Sequence, residues 1–288
     1  MCELSIVIVS YNNLPVLINC LDSVIHMNDI QEKLEIIVVE QSPTSEIYVY
    51  IGKNYPHIKL IRTENKGFGA GNNRGVEVAK GKYLLFLNPD TVLLEPIAKY
   101  AVEMFKSNSM LGLFGVRLLD EKHNETKSYG MRVPFGFMSK IQYKFFEIFD
   151  FFNENMMYIQ GADMFVRKAV FDEVGGFDES FFMYGEEADL CQRIRNAGFR
   201  IQFDKSKKIL HLQGECSPDN FGITYQRQLV SFKKYCDKFD VNYMDYLNAE
   251  ERVQKLKMFL LSLLGKKKSK SFQISSEMIK VIRKYKIL

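Results

Sequence analysis

The chain has 288 residues, of which 47% are hydrophobic and 26% charged. This composition excludes a disordered or fibrous protein, and the length suffices for one large domain with an appendage or for two small domains. The net charge of +4 is uneven: residues 249–288 hold 11 Lys and Arg against 3 Asp and Glu, leaving 28 against 32 elsewhere, so the body is not a generic polyanion binder.

In chain order, LSIVIVS (Leu4 to Ser10) is a short β-branched run and predicts a first strand. LPVLINCLDSVI follows at helical spacing, with Leu14, Leu17, Leu21 and Val24 on one stripe. LEIIVVE (Leu34 to Glu40) predicts a second strand and HIKLIRT a weaker third. GAGNNRGVEVAKG predicts a helix opened by glycines and closed at Gly81. KYLLFLN predicts a fourth strand buried on both faces, and Pro96 opens a further helix, PIAKYAVEMFKSN. Residues 1–107 therefore alternate β and α, the pattern of a parallel sheet with helices on both faces. Such sheets bind ligands outside the carboxyl ends of their strands. Here those ends are Ser10-Tyr11-Asn12, Glu40-Gln41-Ser42 and Asn88-Pro89-Asp90, all polar.

After Leu111 the pattern changes. LGLFGVRLLD and SYGMRVP predict strands, and the Phe-rich stretch Pro134 to Asn155 lacks a clean period and is taken as a variable loop or helical flap. The segment from Met157 to Phe203 contains a strand, a short helix capped by Gly175-Gly176, and a helix from about Glu187 to Ala197, with Gly198 as its C′ residue.

Four constellations carry chemistry. Asp90 is either a turn or cap residue or, with Asn88 across the rigid Pro89, an oxygen donor for a hard cation that shares its load with phosphates. The glycine turn in NKGFGAGNNRG, with Lys66, Gly67 and Asn73, suits phosphate contact through backbone amides, close helix–sheet packing, or a dinucleotide fingerprint. The last fits poorly, because the spacing is not G-x-G-x-x-G and the turn follows the third strand. Glu186, Glu187 and Asp189 open a helix, where acids favour the positive helix end. An aromatic approach (Phe181, Phe182, Tyr184) also suits a general base. His211 is a packed strand histidine or a metal ligand.

Taken together these blocks resemble the inverting, family 2-type glycosyltransferases with a GT-A fold, in particular the rhamnosyltransferase-like branch. The resemblance is carried by SIVIVSYNN, by NKGFGAGNNRGVEVAKGKYLLFLNPDT, by GADMFVRKAVFDEVGGFDESFFMYGEEADLCQRIRNAGFRI and by HLQGECS, in that order, over roughly residues 3–217. It implies a mixed, mainly parallel α/β sheet flanked by helices over residues 1–218, with a helical C-terminal extension over residues 219–288. It implies a metal-dependent hexosyltransferase that moves a sugar from a nucleotide-sugar donor, with dTDP-rhamnose as one candidate, to a glycan or lipid-linked acceptor. Ser10, Tyr11, Asn12, Glu40, Lys66, Gly67, Asn73 and Asn88 would line the donor. Asp90 and His211 would hold Mn²⁺ or Mg²⁺, and Glu187 would be the base. Two positions depart from the family: Glu40-Gln41 replaces Asp-Asn, and Glu187 follows Glu186 where the family has Asp after Glu. The extra methylene leaves the base between Glu187 and Glu186. A non-catalytic nucleotide-sugar or glycan-binding subunit and a nicotinamide-dependent oxidoreductase are the competing classes.

The tail predicts two helices, TYQRQLVSFKKYCDKF and AEERVQKLKMFLLSLLGKKKSK. In the second, Val253, Leu256, Phe259, Leu260 and Leu263 share a face beside a lysine cluster, which suits either docking on the core or peripheral membrane contact. Few aromatics interleave with these charges, so nucleic acid is not an expected partner. The five cysteines (Cys2, Cys20, Cys191, Cys216, Cys236) form no close pair and suit a reducing compartment. Met1 to Ser10 lacks a basic leader, and no run approaches the roughly 18 apolar residues of a membrane span. The expected location is the cytoplasm, with the inner face of the plasma membrane as the site of any lipid contact.

Overall fold

The β-branched runs of the first hundred residues become strands of one sheet. A computed structural model describes residues 1–131, 137–212 and 221–287. In chain order it contains β1 (Leu4–Ser10), α1 (Leu14–His26), β2 (Leu34–Glu40), α2 (Glu46–Asn54), β3 (Lys59–Arg62), α3 (Phe68–Val78), β4 (Tyr83–Leu87), β5 (Thr91–Leu93), α4 (Ala98–Ser107) and β6 (Leu111–Leu119). Then come β7 (Tyr129–Met131), α5 (Phe137–Ile148), β8 (Met157–Ile159), β9 (Asp163–Arg167), α6 (Lys168–Glu173), α7 (Glu186–Asn196) and β10 (Arg200–His211). Three helices follow: α8 (Phe221–Lys238), α9 (Tyr243–Leu263) and α10 (Lys270–Tyr285).

Contacts divide the chain into two units. One comprises Met1–Gly130, Asn153–Phe182 and Glu186–Pro218; the other comprises Met131–Phe152, Met183–Gly185 and Asp219–Leu288. The first unit is an α/β unit built on an eight-stranded sheet of order β3-β2-β1-β4-β9-β6-β10-β5. β1, β2, β3 and β4 are parallel, as are β6 and β10. β9 runs against both β4 and β6, and β5 against β10. The sheet is therefore mixed and mainly parallel, the GT-A arrangement.

Burial explains the strand sequences. Leu84, Leu85 and Phe86 are wholly buried and Leu87 nearly so, and β6 is buried along its whole length. Each such side chain stabilises the fold by about 1.5–3 kcal/mol relative to exposure. The stripe of α1 packs on this sheet through Leu17, Cys20, Leu21 and Val24, with Leu14 partly buried. The edges are blunted by short strands, β3 and β5. Parallel register sets Ser10 beside Glu40 and Glu40 beside Arg62, so the polar strand ends share one rim.

The second unit is helical. Asn242 caps α9 by accepting hydrogen bonds from the Met244 and Asp245 amides, and Ser269 caps α10 through the Phe272 amide. α10 packs on α8 and α9, and α5 packs on α9. Glu251 of α9 draws in Lys255 at 2.7 Å and Arg283 of α10 at 3.1 Å, with Lys286 also paired to it. These three cations hold its carboxyl at a pKa of about 2, the Lys255 bond contributing most. The Phe-rich stretch is thus helical from Phe137, while its residues 134–136 lie outside the described residues.

Candidate active site

The Asn88-Pro89-Asp90 turn leaves the end of β4 and enters β5 at once. Thr91 closes it, donating to the Asn88 carbonyl oxygen from its amide (3.2 Å) and from its hydroxyl (2.7 Å). The Asn88 amide is held by the Ala162 carbonyl at 3.0 Å. β5 pairs with β10 in a register that sets Thr91 opposite His211, and the Leu212 amide bonds the Asp90 carbonyl at 2.9 Å. This pairing brings His211 Nε2 to 3.4 Å from Asp90 Oδ1 and to 3.5 Å from the Asn88 side-chain nitrogen, Nδ2. Asp90 is only 4% exposed. Its Oδ1, like His211 Nδ1, is a buried atom without a hydrogen-bond partner among the described residues. Burial of a carboxylate oxygen without a partner is costly, so the pair fits a cation. Among the described residues no group of three or more His, Cys, Asp or Glu is placed to hold a metal. Two protein ligands with phosphate and water completing the shell is the pattern of a Mg²⁺-type site. Behind the turn lies Cys20, its thiol 3.6 Å from the Asn88 carbonyl oxygen and from the Thr91 hydroxyl; burial pushes its pKa up to about 12. It is a neutral packing group.

At the ends of β1 and β2 the polar residues hold each other. Ser10 donates to Asn13 Oδ1 at 2.7 Å, and Asn12, with φ 50°, donates its amide to Ser42 Oγ at 2.8 Å. Glu40 is fully buried; Oε1 accepts the Ser42 amide at 2.7 Å and Oε2 lies 3.8 Å from Arg62 Nε. Glu40 therefore shapes its own loop. Tyr11, 47% exposed, offers its ring at this rim. A cleft of about 230 Å³ opens past the ends of β2 and β3, lined by Gln41, Thr63, Glu64, Lys66, Ala70 and Arg74. Of these, Thr63, Glu64 and Arg74 were not singled out from sequence; the signal available was their position just past β3 and on the exposed face of α3.

The glycine block packs closely against its surroundings. Gly67 has φ 101°, and a Cβ there would lie 2.1 Å from the Phe182 carbonyl oxygen. On α3, a Cβ at Gly71 would meet Val9 at 2.9 Å and one at Gly75 would meet Val7 at 2.3 Å. The Gly67 amide is taken by Asn65 Oδ1 (3.0 Å) and the Phe68 amide by the Phe182 carbonyl (3.1 Å). Asn73 spends its amide on the Phe177 backbone (both bonds 2.9 Å) and on Glu179 (3.0 Å). Gly67 and Asn73, both expected at the donor, fasten the loop 177–182 onto α3. The turn also follows β3 at the sheet edge, not β1 where a dinucleotide fingerprint belongs. Lys66, 68% exposed, keeps its ammonium at the cleft, 4.0 Å from Glu64.

The acids of α7 have separate tasks. Asp189 is fully buried and accepts two bonds from Arg193, at 2.8 and 2.6 Å, while Arg193 also reaches the Val174 carbonyl at 2.6 Å. It anchors the helix. Glu186 is 2% exposed. Glu187 is half-buried, and its Oε1 accepts the Gly161 amide at 3.3 Å. A Cβ at Gly161 would lie 3.0 Å from that oxygen and 3.3 Å from the Phe68 ring, so a side chain there would crowd the carboxylate. Of the two candidate bases, Glu187 is the more exposed. Two residues beyond Gly161, Asp163 went unremarked in the sequence. It is fully buried opposite Leu87, its Oδ2 accepts the Val116 amide at 2.6 Å, and burial raises its pKa well above the usual carboxylate range.

A mixed sheet with its polar strand ends on one rim and an Asp–His pair at that rim defines a GT-A protein. The profile of glycosyl transferase family 2 matches residues 5–175, and the chain belongs to that family. A second profile, the N-terminal domain of galactosyltransferase, matches residues 144–214. The rhamnosyltransferase WbbL of Escherichia coli (strain K12) is 27% identical over 213 residues, covering 69% of this chain and 81% of that protein. The low-salt glycan biosynthesis hexosyltransferase Agl10 of Haloferax volcanii is 24% identical over 208 residues, covering 69% and 64%. An N-acetylglucosaminyl-diphospho-decaprenol L-rhamnosyltransferase of Mycobacterium tuberculosis is 41% identical over 54 residues, 19% of this chain and 18% of that one. Among solved structures, the mannosyltransferase PcManGT from Pyrobaculum calidifontis, in complex with GDP-Man and Mn²⁺, superposes with a TM-score of 0.65 at 13% identity, covering 98% and 86%.

Proposed function

We propose that this glycosyltransferase moves a deoxyhexose, with dTDP-rhamnose the favoured donor, onto a glycan or lipid-linked hydroxyl with inversion. The observation that carries the reading is Asp90: a nearly buried carboxylate whose Oδ1 accepts no hydrogen bond and faces His211 at the carboxyl ends of the strands. The donor class is supported by the relatives named as rhamnosyltransferases.

Asp90 and His211 are the residues that would hold Mn²⁺ or Mg²⁺. When bound, such a cation neutralises the charge that develops on a departing diphosphate. Tyr11 and the cleft at Gln41, Thr63 and Lys66 receive the nucleotide. Glu187 takes the proton from the acceptor hydroxyl, whose oxygen forms the new bond to the anomeric carbon. The bond from that carbon to the diphosphate oxygen breaks with its electrons going to the leaving group. One displacement inverts the anomeric centre and needs a base but no protein nucleophile. The Gly161 amide, bonded to Oε1, orients Glu187.

The test is a transfer assay with nucleotide sugars and a polyprenyl-linked or free glycan acceptor, the product's anomeric configuration being read by NMR. Release of dTDP with an inverted rhamnoside is expected. Retention of configuration, or donor binding without transfer to any acceptor, would overturn the reading.

A further inference from the structure

Two amphipathic stripes in the helical unit face solvent. On α5, Met138, Ile141, Phe145 and Ile148 recur at helical spacing, with Phe149 directly after the helix, and their exposure runs from 48% at Ile141 to 75% at Ile148. On the second half of α9, Leu256, Phe259, Leu260 and Leu263 do the same, with Leu263 69% exposed. The helices pack on one another within one unit. A helix of a globular protein turns such a stripe to the core. α9 does so only in its first half, through Tyr246, Leu247 and Ala249. An open apolar patch of this kind marks a contact surface.

Charge selects the occupant. Between Glu251 and Glu277 there is no acidic residue, and the segment carries seven Lys and Arg. Lys257, Lys266, Lys267, Lys268 and Lys270 are exposed. A second copy of the chain would set this cluster against itself. An anionic lipid surface takes both features, because Phe, Leu and Ile sink into the headgroup–acyl boundary while lysines reach the phosphates. No helix among the described residues is long and apolar enough to cross a membrane, which places the contact in the interface.

We propose that α5 and the second half of α9 form one docking surface for an anionic bilayer, with both apolar stripes inserted and Lys266, Lys267, Lys268 and Lys270 on the lipid phosphates. The contact goes beyond the chemistry assigned to Asp90 and Glu187 and does not depend on it.

The experiment is co-flotation of the full chain with phosphatidylcholine vesicles, with and without phosphatidylglycerol. Binding only to the anionic vesicles is expected. Lys266→Ala, Lys267→Ala and Lys268→Ala together should weaken it roughly a hundredfold, about fivefold per lysine. Phe145→Asp with Ile148→Asp should weaken it with the lysines intact. Both variants should keep the wild-type circular dichroism spectrum and nucleoside diphosphate affinity in solution. Absence of binding to anionic vesicles would overturn the proposal. So would full binding by the Phe145/Ile148 variant, or a concentration-dependent dimer that this variant dissolves.

Discussion

The two units use apolar residues in opposite ways. In the α/β unit the strands bury Leu84, Leu85, Phe86, Leu113 and Phe114 completely, and polar groups gather at the strand ends. In the helical unit Phe145, Ile148, Phe259 and Leu263 stay open to solvent, while an acid, Glu251, is buried to gather three cations. The contrast teaches where to look for function. In the first unit the departure from expectation is a buried polar atom, Asp90 Oδ1. In the second it is an exposed apolar stripe.

Substitutions sharpen that contrast. The largest effect is expected from Glu187→Gln, which keeps the shape of the side chain and removes its basicity. Turnover should fall on the order of 10²–10⁴-fold with donor affinity retained; steady-state kinetics beside calorimetry checks this, and unchanged turnover removes Glu187 as the base. Next is Gly67→Ala, which puts a Cβ 2.1 Å from the Phe182 carbonyl oxygen at φ 101°. A loss of about 1–3 kcal/mol in urea denaturation is expected, and wild-type stability would show that the loop 177–182 is not pinned there.

Asp163→Asn should act through pH. Its native pKa lies above the unfolded value of about 3.9, so unfolding releases a proton and stability falls as pH rises above about 4. The amide is neutral throughout, so the variant's melting temperature should gain on the wild type between pH 4 and pH 7. A constant difference would mean that the carboxylate is accommodated. The smallest effect belongs to Glu251→Gln in the helical unit. With a folded pKa of about 2 against about 4.3 unfolded, Glu251 stabilises above pH 4 and loses this as pH falls toward 2. The variant should melt slightly below wild type at pH 7, and the gap should close at pH 2; a gap that persists there would assign the loss to packing.

The legible parts of the fold were those whose local pattern and burial agree. β1, β2 and β4 read as strands because each is an apolar run ended by a polar residue, and α7 read as a helix down to its Gly198 stop, where φ is 87°. α2 was missed because Ile47-Tyr48-Val49-Tyr50 has strand propensity, and the helix is decided by burying Ile47 and Ile51 one turn apart. β5 was missed because three residues gain their state only by pairing with β10. In the Phe-rich stretch Phe146, Phe151 and Phe152 fall off the spacing of Met138, Ile141, Phe145 and Ile148, which hides the period of α5. At the site, Asp90, His211 and Glu187 could be singled out by residue type and position. What Gly67, Asn73 and Glu40 do could not, since each is spent on a partner distant in sequence or on its own loop. Of the HLQGECS segment only His211 and Leu212 lie within the described residues.

The central claim is that Asp90 serves a cation-bridged nucleoside diphosphate. Calorimetric titration of dTDP, UDP and GDP, each with and without Mn²⁺, on wild type and Asp90→Asn tests it most directly. The expected result is Mn²⁺-dependent binding of one diphosphate that the variant loses while melting at the wild-type temperature. Binding of no diphosphate, or metal-independent binding that Asp90→Asn leaves unchanged, would contradict the account.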